Sequence, residues 1–371
     1  MARQLQKSLL ARVEGLPIIV VFVLLLALFM YTAPQVFLAP NIYTTFLTTL
    51  PPLIILGMGL TFVIGAGEID LSFPSIIAFS GFVFAVLFKD YDLGWLAVVA
   101  AVLSGLVIGY LNGILIARIG IPSFITTLGT QFFWAGMATV ISGGRSYALR
   151  GADQSSVYMF IVGRMGGAED PTRWWTQISI QAVWTALIVV LLWFILNRHR
   201  FGEHVLFLGD SNDVSRVVGV PVEKEKIRLF TLMGGLAAIA AVMLTLENRN
   251  YFGNQGQGYL LTAIAAVLIG GTSIFGGRAT IVGTLFGAFI MGMVEAGLVA
   301  SGLTGAWVRT VQGLIFLVAI IFYLWVDEPH RRSAFIARFR PQRDTGRAAP
   351  AGAQPAKAGQ PTGPNPASSN S

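Results

Sequence analysis

Three acidic residues stand inside strongly apolar stretches of this sequence. Glu68 and Asp70 lie in VIGAGEIDLSFPSIIAFSG, and Glu295 lies in the apolar run that follows position 281. A carboxylate at membrane depth is costly unless it faces a partner, water or a solute, so ion pairing, ion binding or the lining of a polar path is expected there. Because Glu68 and Asp70 are two residues apart, they cannot share a helix face, and a paired-carboxylate acid–base site is not expected.

Two interpretations stay open for the acids of the first stretch. Glu68, Asp70 and Ser72 either line a gate beside a pathway or cap the next helix at its positive end. Glu295 is expected to pair with Arg309, with exposure to a cavity as the alternative.

Several other kinds of chemistry lack the residues they need. The sequence has no cysteine and only 3 histidines, which are scattered, so no metal site is expected. No GxxxxGK(S/T) phosphate loop occurs, because GGTSIFGGR lacks the Lys-Ser/Thr ending. The chain is therefore expected to hydrolyse no ATP by itself and to carry no cofactor.

A charged island, RHRFGEHVLFLGDSNDVSRVVGVPVEKEKIR, separates the two apolar halves between residues 198 and 228. Within it the sequence predicts one short helix, about 10 Å long. Asp210 or Ser211 is suited to cap its N-terminal amides, Gly219 to take the left-handed position after it, and Pro221 to stop it.

This helix is predicted to present a valine ridge with a polar rim, because Val214, Val217 and Val218 are spaced i, i+3 and i+4. Such a ridge suits a groove on another protein, and an ordinary solvated linker is the alternative. The residues assigned to this surface are Gly209, Asp210, Ser211, Asn212, Asp213, Val214, Arg216, Val217, Val218 and Gly219.

The composition decides the fold class. The 371 residues are 55% hydrophobic and 12% charged, with a mean hydropathy of +0.71, which indicates an all-α polytopic membrane protein. About ten membrane segments are predicted, several of them broken by Gly or Pro. They are approximately Pro17–Met30, Ile42–Ala66, Phe73–Phe88, Gly94–Ala117, Pro122–Ser142, Ile178–Leu196, Leu229–Leu246, Tyr259–Gly271, Ile281–Gly302 and Arg309–Val326.

The charges indicate the orientation. Ten spans with a cytoplasmic N-terminus put 18 of the 25 Lys and Arg residues on the cytoplasmic side, as the positive-inside rule requires. The net charge of +7 is thereby explained by topology in the lipid bilayer, and no nucleic-acid partner is expected. Both termini are expected in the cytoplasm, and the first apolar run is expected to be an uncleaved span rather than a signal peptide.

The chain divides by composition at about residue 330. Residues 1–330 form the predicted membrane domain, with 198–228 as its cytoplasmic loop. Residues 331–371 are basic and then rich in Ala, Pro, Gly and Ser, and this tail is expected to be disordered because it cannot bury enough apolar surface to fold.

Two stretches interrupt the apolar pattern in a related way, VIGAGEIDLSFPSIIAFSG at 63–81 and VLIGGTSIFGGRATIVGTLFG at 267–287. Each has a Gly-rich break between apolar runs, one in each half, which suggests an internal duplication. Paired broken segments point to a solute pathway. The candidate pathway or gate residues are Glu68, Asp70, Ser72, Asn112, Gly270, Gly271, Thr272, Gly276 and Gly277.

Four blocks together resemble the permease subunits of ribose-type sugar ABC importers. They are GEIDLS at 67–72, LNGILIARIGIPSFITTLGT at 111–130, GDSNDVSRVVGV at 209–220 and LTAIAAVLIGGTSIFGGRATIVGTLFGA at 261–288. The resemblance covers nearly everything from Ile42 to Val326.

The resemblance implies a set of partners. A homodimer or pseudodimer of permeases would receive its solute from a periplasmic substrate-binding protein. A cytoplasmic ATPase, which binds ATP and Mg²⁺, would contact the block at 209–220. The localisation implied is the bacterial inner membrane.

Two departures leave the solute open. The family commonly has GGIDLSVG, whereas this chain has Glu68 within the motif and Phe73 and Pro74 at its end. The family also commonly has GYELDAIAAV, whereas here Gly258 and Tyr259 precede LLT and two acids are missing. A pentose, a hexose or a polyol fits this pattern, and a stand-alone ion-coupled transporter or channel that uses Glu68, Asp70 and Glu295 is the alternative.

Overall fold

The computed structural model describes residues 15–165, 174–303 and 305–327, which are mostly helical. The chain divides into two units, Met1–Tyr323 and Leu324–Ser371. The predicted tail at 331–371 lies outside the described residues, so its disorder stays a prediction.

Helices account for nearly all regular structure. The first half contains α1 (Leu16–Thr32), α2 (Pro34–Phe37), α3 (Pro40–Thr49), α4 (Pro51–Gly65), α5 (Phe73–Lys89), α6 (Trp95–Ala117), α7 (Ser123–Ser142) and α8 (Ser156–Ile161). The second half contains α9 (Ile180–Arg198), α10 (Arg200–Asp210), α11 (Asn212–Val217), α12 (Val222–Glu247), α13 (Tyr259–Ile269), α14 (Ile281–Ala300) and α15 (Gly305–Asp327). Short 3₁₀ turns lie at Ala152–Gln154 and Trp174–Gln177, and β1 (Tyr147–Ala148) pairs antiparallel with β2 (Asn250–Tyr251).

Within the described residues, 5 helices are long and apolar enough to cross a membrane, namely α6, α7, α9, α12 and α14. The pair α3 and α4 makes a sixth if the two are one span, and α1, α5, α13 and the first part of α15 are shorter apolar helices. The all-α membrane class is therefore confirmed, whereas the count of ten spans is not.

The segment predicted as one run from Ile42 to Ala66 consists of two helices. Helices α3 and α4 meet at Leu50 with a bend of 52°. Pro51 and Pro52 begin α4, and a proline ring clashes with the preceding helical turn and offers no amide hydrogen. The bend therefore follows from the two prolines.

Helix α12 is the centre of the bundle, and α6 lies along it. Gly105, Gly109 and Gly113 recur every fourth residue on α6 and bring its backbone against α12 at Gly234 and Ile227. Small residues at this spacing let two membrane helices approach closely. The helix begins at Val222, seven residues before the predicted start, because the charged EKEKIR sequence forms its first turns.

The charged island contains more helix than predicted. Besides the expected short helix, α10 forms from Arg200 to Asp210, capped by the His199 ring nitrogen, which accepts the amide hydrogen of Phe201. The Phe201 ring stacks on Phe62 of α4 with centroids 6.0 Å apart, and Val205 is fully buried. Contact with the bundle therefore folds this part of the island.

We expect Gly109→Ala to destabilise the protein, because the new methyl group would overlap the carbonyl of Phe230 on α12. Overpacking of this kind costs about 1–3 kcal/mol. Thermal unfolding of the purified protein in detergent should show a lowered midpoint. Gly136→Ala on α7 is the matched control, since nothing lies within 4 Å of its added methyl group. Equal midpoints for the two variants would contradict the close packing of α6 on α12.

Candidate functional site

The short helix α11 has the ends that the sequence predicted. The Ser211 hydroxyl oxygen accepts the amide hydrogen of Val214 at 3.4 Å, so Ser211 rather than Asp210 is the N-cap. Gly219 follows the helix with φ of +85°, and the Val220 amide donates to the Ser215 carbonyl at 2.9 Å. Local capping therefore bounds the helix at both ends.

The valine ridge of α11, formed by Val214, Val217 and Val218, is exposed. The exposed fractions of these residues are 59%, 87% and 60%. Ser215 of the same helix is buried, and its hydroxyl donates to the Ser211 carbonyl at the start of the helix. The polar rim of Asn212, Asp213 and Arg216 is also exposed, so α11 presents an apolar surface with a charged border.

Five glycines from three segments meet in what we call the glycine junction, which comprises Gly65, Gly67, Gly209, Gly276 and Gly277. The Gly277 amide donates to the Gly65 carbonyl at 3.0 Å, which joins the two predicted breaks directly. A methyl group on Gly276 would lie 2.5 Å from Cα of Gly209, and one on Gly209 would overlap both Gly65 and Gly277. The backbones can approach this closely only because these side chains are absent.

The glycine junction also includes the end of the charged island. Gly209 is the penultimate residue of α10, and Asp210 places its carboxylate where a side chain on Gly277 would stand. Helix α11 begins two residues later. Both broken segments therefore contact the base of the exposed valine ridge.

The backbone of the first break is bonded to side chains of α7. The Ile69 amide donates to the Ser123 hydroxyl at 3.2 Å, and the Ile69 carbonyl accepts from the Thr127 hydroxyl at 3.3 Å. The Ser75 amide at the start of α5 donates to the Gln131 side-chain carbonyl at 2.9 Å. Freed backbone groups in a membrane need such partners, which the sequence alone did not identify.

Asp70, Ser72 and Asn112 form a buried chain of hydrogen bonds. The Asn112 amide donates to the Ser72 hydroxyl at 2.8 Å, and the Ser72 hydroxyl donates to Asp70 Oδ1 at 2.6 Å. The same Asp70 oxygen accepts the Ser72 backbone amide at 2.7 Å. Asp70 thus fits the capping interpretation, and the network ties the first break to α6.

Glu68 has a role that neither interpretation anticipated. Its carboxylate pairs with the Lys226 ammonium at 2.5 Å, and both side chains are largely buried. Lys226 lies in α12, five residues after Pro221. Nearby, Nδ1 of His204 in α10 lies 3.0 Å from a carboxylate oxygen of Glu225, so an ion pair and a second polar contact fix the island and the first break to the start of α12.

The candidate residues of the second break form a compact turn. The backbone of Gly270 lies against that of Gly283, and Gly271 has φ of +91°. The buried Thr272 hydroxyl accepts the Thr280 amide at 3.3 Å, and Thr280 caps α14. Gly270, Gly271 and Thr272 therefore set the path of the backbone from α13 to α14, while Gly276 and Gly277 belong to the glycine junction.

A cavity of about 970 Å³ lies at the other ends of α13 and α14, away from the glycine junction. Glu295 and Arg309 both line it, yet they form no ion pair with each other, so the predicted pair is wrong. Tyr259 and Gln312 line the same cavity. Neither residue was among the candidate pathway residues, although Tyr259 lies where the sequence departs from the family's GYELDAIAAV pattern.

Comparison with known proteins gives the family. The family model for the branched-chain amino acid transport system / permease component matches residues 42–320. The ribose import permease protein RbsC of Escherichia coli K12 is 31% identical over 85% of this chain and 92% of its own length. The L-arabinose ABC transporter permease protein AraH of Azospirillum brasilense is 32% identical over 82% and 86%. The fructose import permease protein FrcC of Rhizobium meliloti is 31% identical over 73% and 74%.

No solved structure matches the chain. The resemblance to sugar importer permeases that the four sequence blocks suggested is confirmed by these relatives. Since the family model spans most of the chain and the apolar helices agree with it, this protein belongs to the branched-chain amino acid transport system / permease component family and is a multi-pass inner membrane permease.

Proposed function

We propose that this chain is the membrane-spanning permease of an ATP-driven importer for a simple sugar or related polyol. The relatives named above as ribose, L-arabinose and fructose permeases support the solute class. The observation that carries the proposal is the exposed valine ridge on α11, whose base lies in the glycine junction between the two broken segments. A stand-alone transporter, which docks no ATPase, does not need an exposed apolar helix surface of this kind.

The proposed assembly has several partners. A separate cytoplasmic ABC ATPase, which binds ATP and Mg²⁺, receives the valine ridge in a groove, and the rim of Asp213 and Arg216 orients it. A periplasmic substrate-binding protein delivers the solute on the opposite side. A second permease copy, as a homodimer or pseudodimer, completes the transporter in the lipid bilayer.

The proposed topology keeps ten spans with both termini in the cytoplasm. Five long helices, the bent pair of α3 and α4, and four shorter apolar helices supply that number of apolar segments. The order of helix, break and helix at both Gly65–Phe73 and Ile269–Ile281 supports the internal duplication. Transport would then proceed between an outward and an inward opening.

The proposed mechanism follows the contacts. Closure of the ATPase dimer moves α11 as a rigid lever, and Gly209 transmits the motion to Gly67 and Gly276, which it touches. The Glu68–Lys226 pair gives a second connection, because Lys226 lies nine residues after Val217. Both breaks therefore move together.

The contacts of Glu68 and Asp70 do not favour the ion-coupled alternative. Glu68 is neutralised by Lys226, and Asp70 is held by Ser72. These contacts account for the Glu68 carboxylate and for one oxygen of Asp70. Glu295, the third acid of that alternative, lines the cavity and has no ion pair among the described residues.

We predict that Val217→Ser combined with Val218→Ser reduces sugar uptake and copurification of the ATPase, because the apolar contact with the partner is lost. Each buried valine contributes about 1.5–3 kcal/mol, so a loss of at least tenfold in binding is expected. Membrane insertion, followed by immunoblot, should be unchanged.

Tyr91→Ser is the matched control for the ridge. Tyr91 is 66% exposed and lies beyond α5, at the end of the bundle away from α11. Its replacement should leave the ATPase bound. If the double valine variant copurifies the ATPase fully and takes up sugar normally, the valine ridge is not the docking surface.

We predict that Glu68→Gln impairs uptake while the ATPase stays bound, because Lys226 loses its buried partner. Breaking a buried pair typically costs about 3–5 kcal/mol. The charge-reversed double variant Glu68→Lys with Lys226→Glu should recover much of the uptake. If Glu68→Gln transports normally, the pair does not connect the island to the first break. The same conclusion follows if Glu68→Lys and Lys226→Glu each lose uptake and their combination restores none of it.

A further inference from the structure

We propose that the cavity between α3, α4, α13, α14 and α15 is where the permease holds its solute, with Glu295, Arg309, Gln312 and Tyr259 as the binding groups. The inference rests on the proposed function and goes beyond it by naming the site. Its volume of about 970 Å³ lies at the upper end of the range for small-molecule sites, which leaves room for a monosaccharide and water.

The two charged residues that line the cavity, Glu295 and Arg309, are not paired with each other. Among the described residues, neither Glu295 nor Arg309 has an ion-pair or hydrogen-bond partner, whereas Glu68 and Glu225 elsewhere in the bundle are paired. An unpaired carboxylate on a membrane helix is expensive unless it faces a hydrated path or a ligand. Glu295 and Arg309 both line the cavity, so water or a solute in the cavity is what stabilises their charges.

The polar residues of the lining suit a solute with several hydroxyl groups, and the rest of the wall is mainly apolar. A carboxylate accepts hydrogen bonds from hydroxyls, while the Arg309 guanidinium and the Gln312 amide donate them. The hydroxyls of Thr45, Thr49 and Thr262 donate to carbonyls of their own helices, so they offer only acceptor lone pairs to the cavity. A neutral polyol, which both donates and accepts, satisfies this mixture better than an anion or a cation would.

The position of the cavity links it to the coupling surface. Glu295 is fourteen residues beyond the first residue of α14, about 21 Å along the helix from the second break. Helix α13 begins in the cavity at Tyr259 and ends at that break, and α4 contacts α14 through the hydroxyls of Thr61 and Thr284, 2.7 Å apart. A shift at the glycine junction therefore moves helices that line the cavity.

The first test is uptake by the full transporter, with its ATPase and binding protein, using radiolabelled D-ribose, L-arabinose and D-fructose as probes. Glu295→Gln should lower uptake of the transported sugar by about tenfold, the loss expected for hydrogen bonds to a charged group. Asp90→Asn is the control, because it removes an exposed carboxylate outside the cavity. If the unsubstituted transporter takes up none of these sugars and neither of the polyols inositol and erythritol, the proposed function fails. If it takes up one of them and Glu295→Gln takes it up equally well, only the site fails.

The second test uses the absence of cysteine from the sequence. Ala296→Cys, on the cavity wall, should react with a membrane-impermeant methanethiosulfonate, and the transported sugar should slow that reaction. Leu103→Cys, on an exposed face of α6 outside the cavity, should not react. If the folded Ala296→Cys variant is not labelled, or if no sugar slows its labelling, the cavity is not the solute site.

Discussion

Backbone-to-backbone contact at the glycine junction is the constraint on which the rest of the structure depends. Gly65, Gly209 and Gly277 belong to segments far apart in the sequence, and a single methyl group on Gly209 would overlap the other two. The hydrogen bond from Gly277 to Gly65 then fixes the two breaks to each other. One point in the bundle thus joins both interrupted membrane segments to the island that carries α11.

The glycine junction lies between α10 and α11 on one side and α13 and α14 on the other. On one side, α10 is held by the Phe201–Phe62 stack and by the pairing of His204 with Glu225, so α11 projects from a fixed base with its valines in solvent. On the other side, α13 and α14 lead to the cavity that contains Glu295 and Arg309. In the proposed mechanism, α11, the glycine junction and the cavity act in series.

Local features were predictable from the sequence, and long-range contacts were not. The cap at Ser211 and the left-handed Gly219 depend on neighbouring residues, so α11 could be bounded before the structure was known. Composition likewise gave the membrane class. The Glu68–Lys226 pair joins residues 158 positions apart, and α10 folds because Val205 is buried against the bundle, and neither fact has a local signal.

The most direct measurement is the coupling of ATP hydrolysis to sugar uptake in proteoliposomes that contain the complete transporter with Gly209→Ala. If the glycine junction transmits the motion of α11, this variant still binds its ATPase and hydrolyses ATP, but it takes up little sugar because the breaks can no longer close on Gly209. If Gly209→Ala supports the same uptake per ATP hydrolysed as the unsubstituted protein, the junction is not the point of transmission.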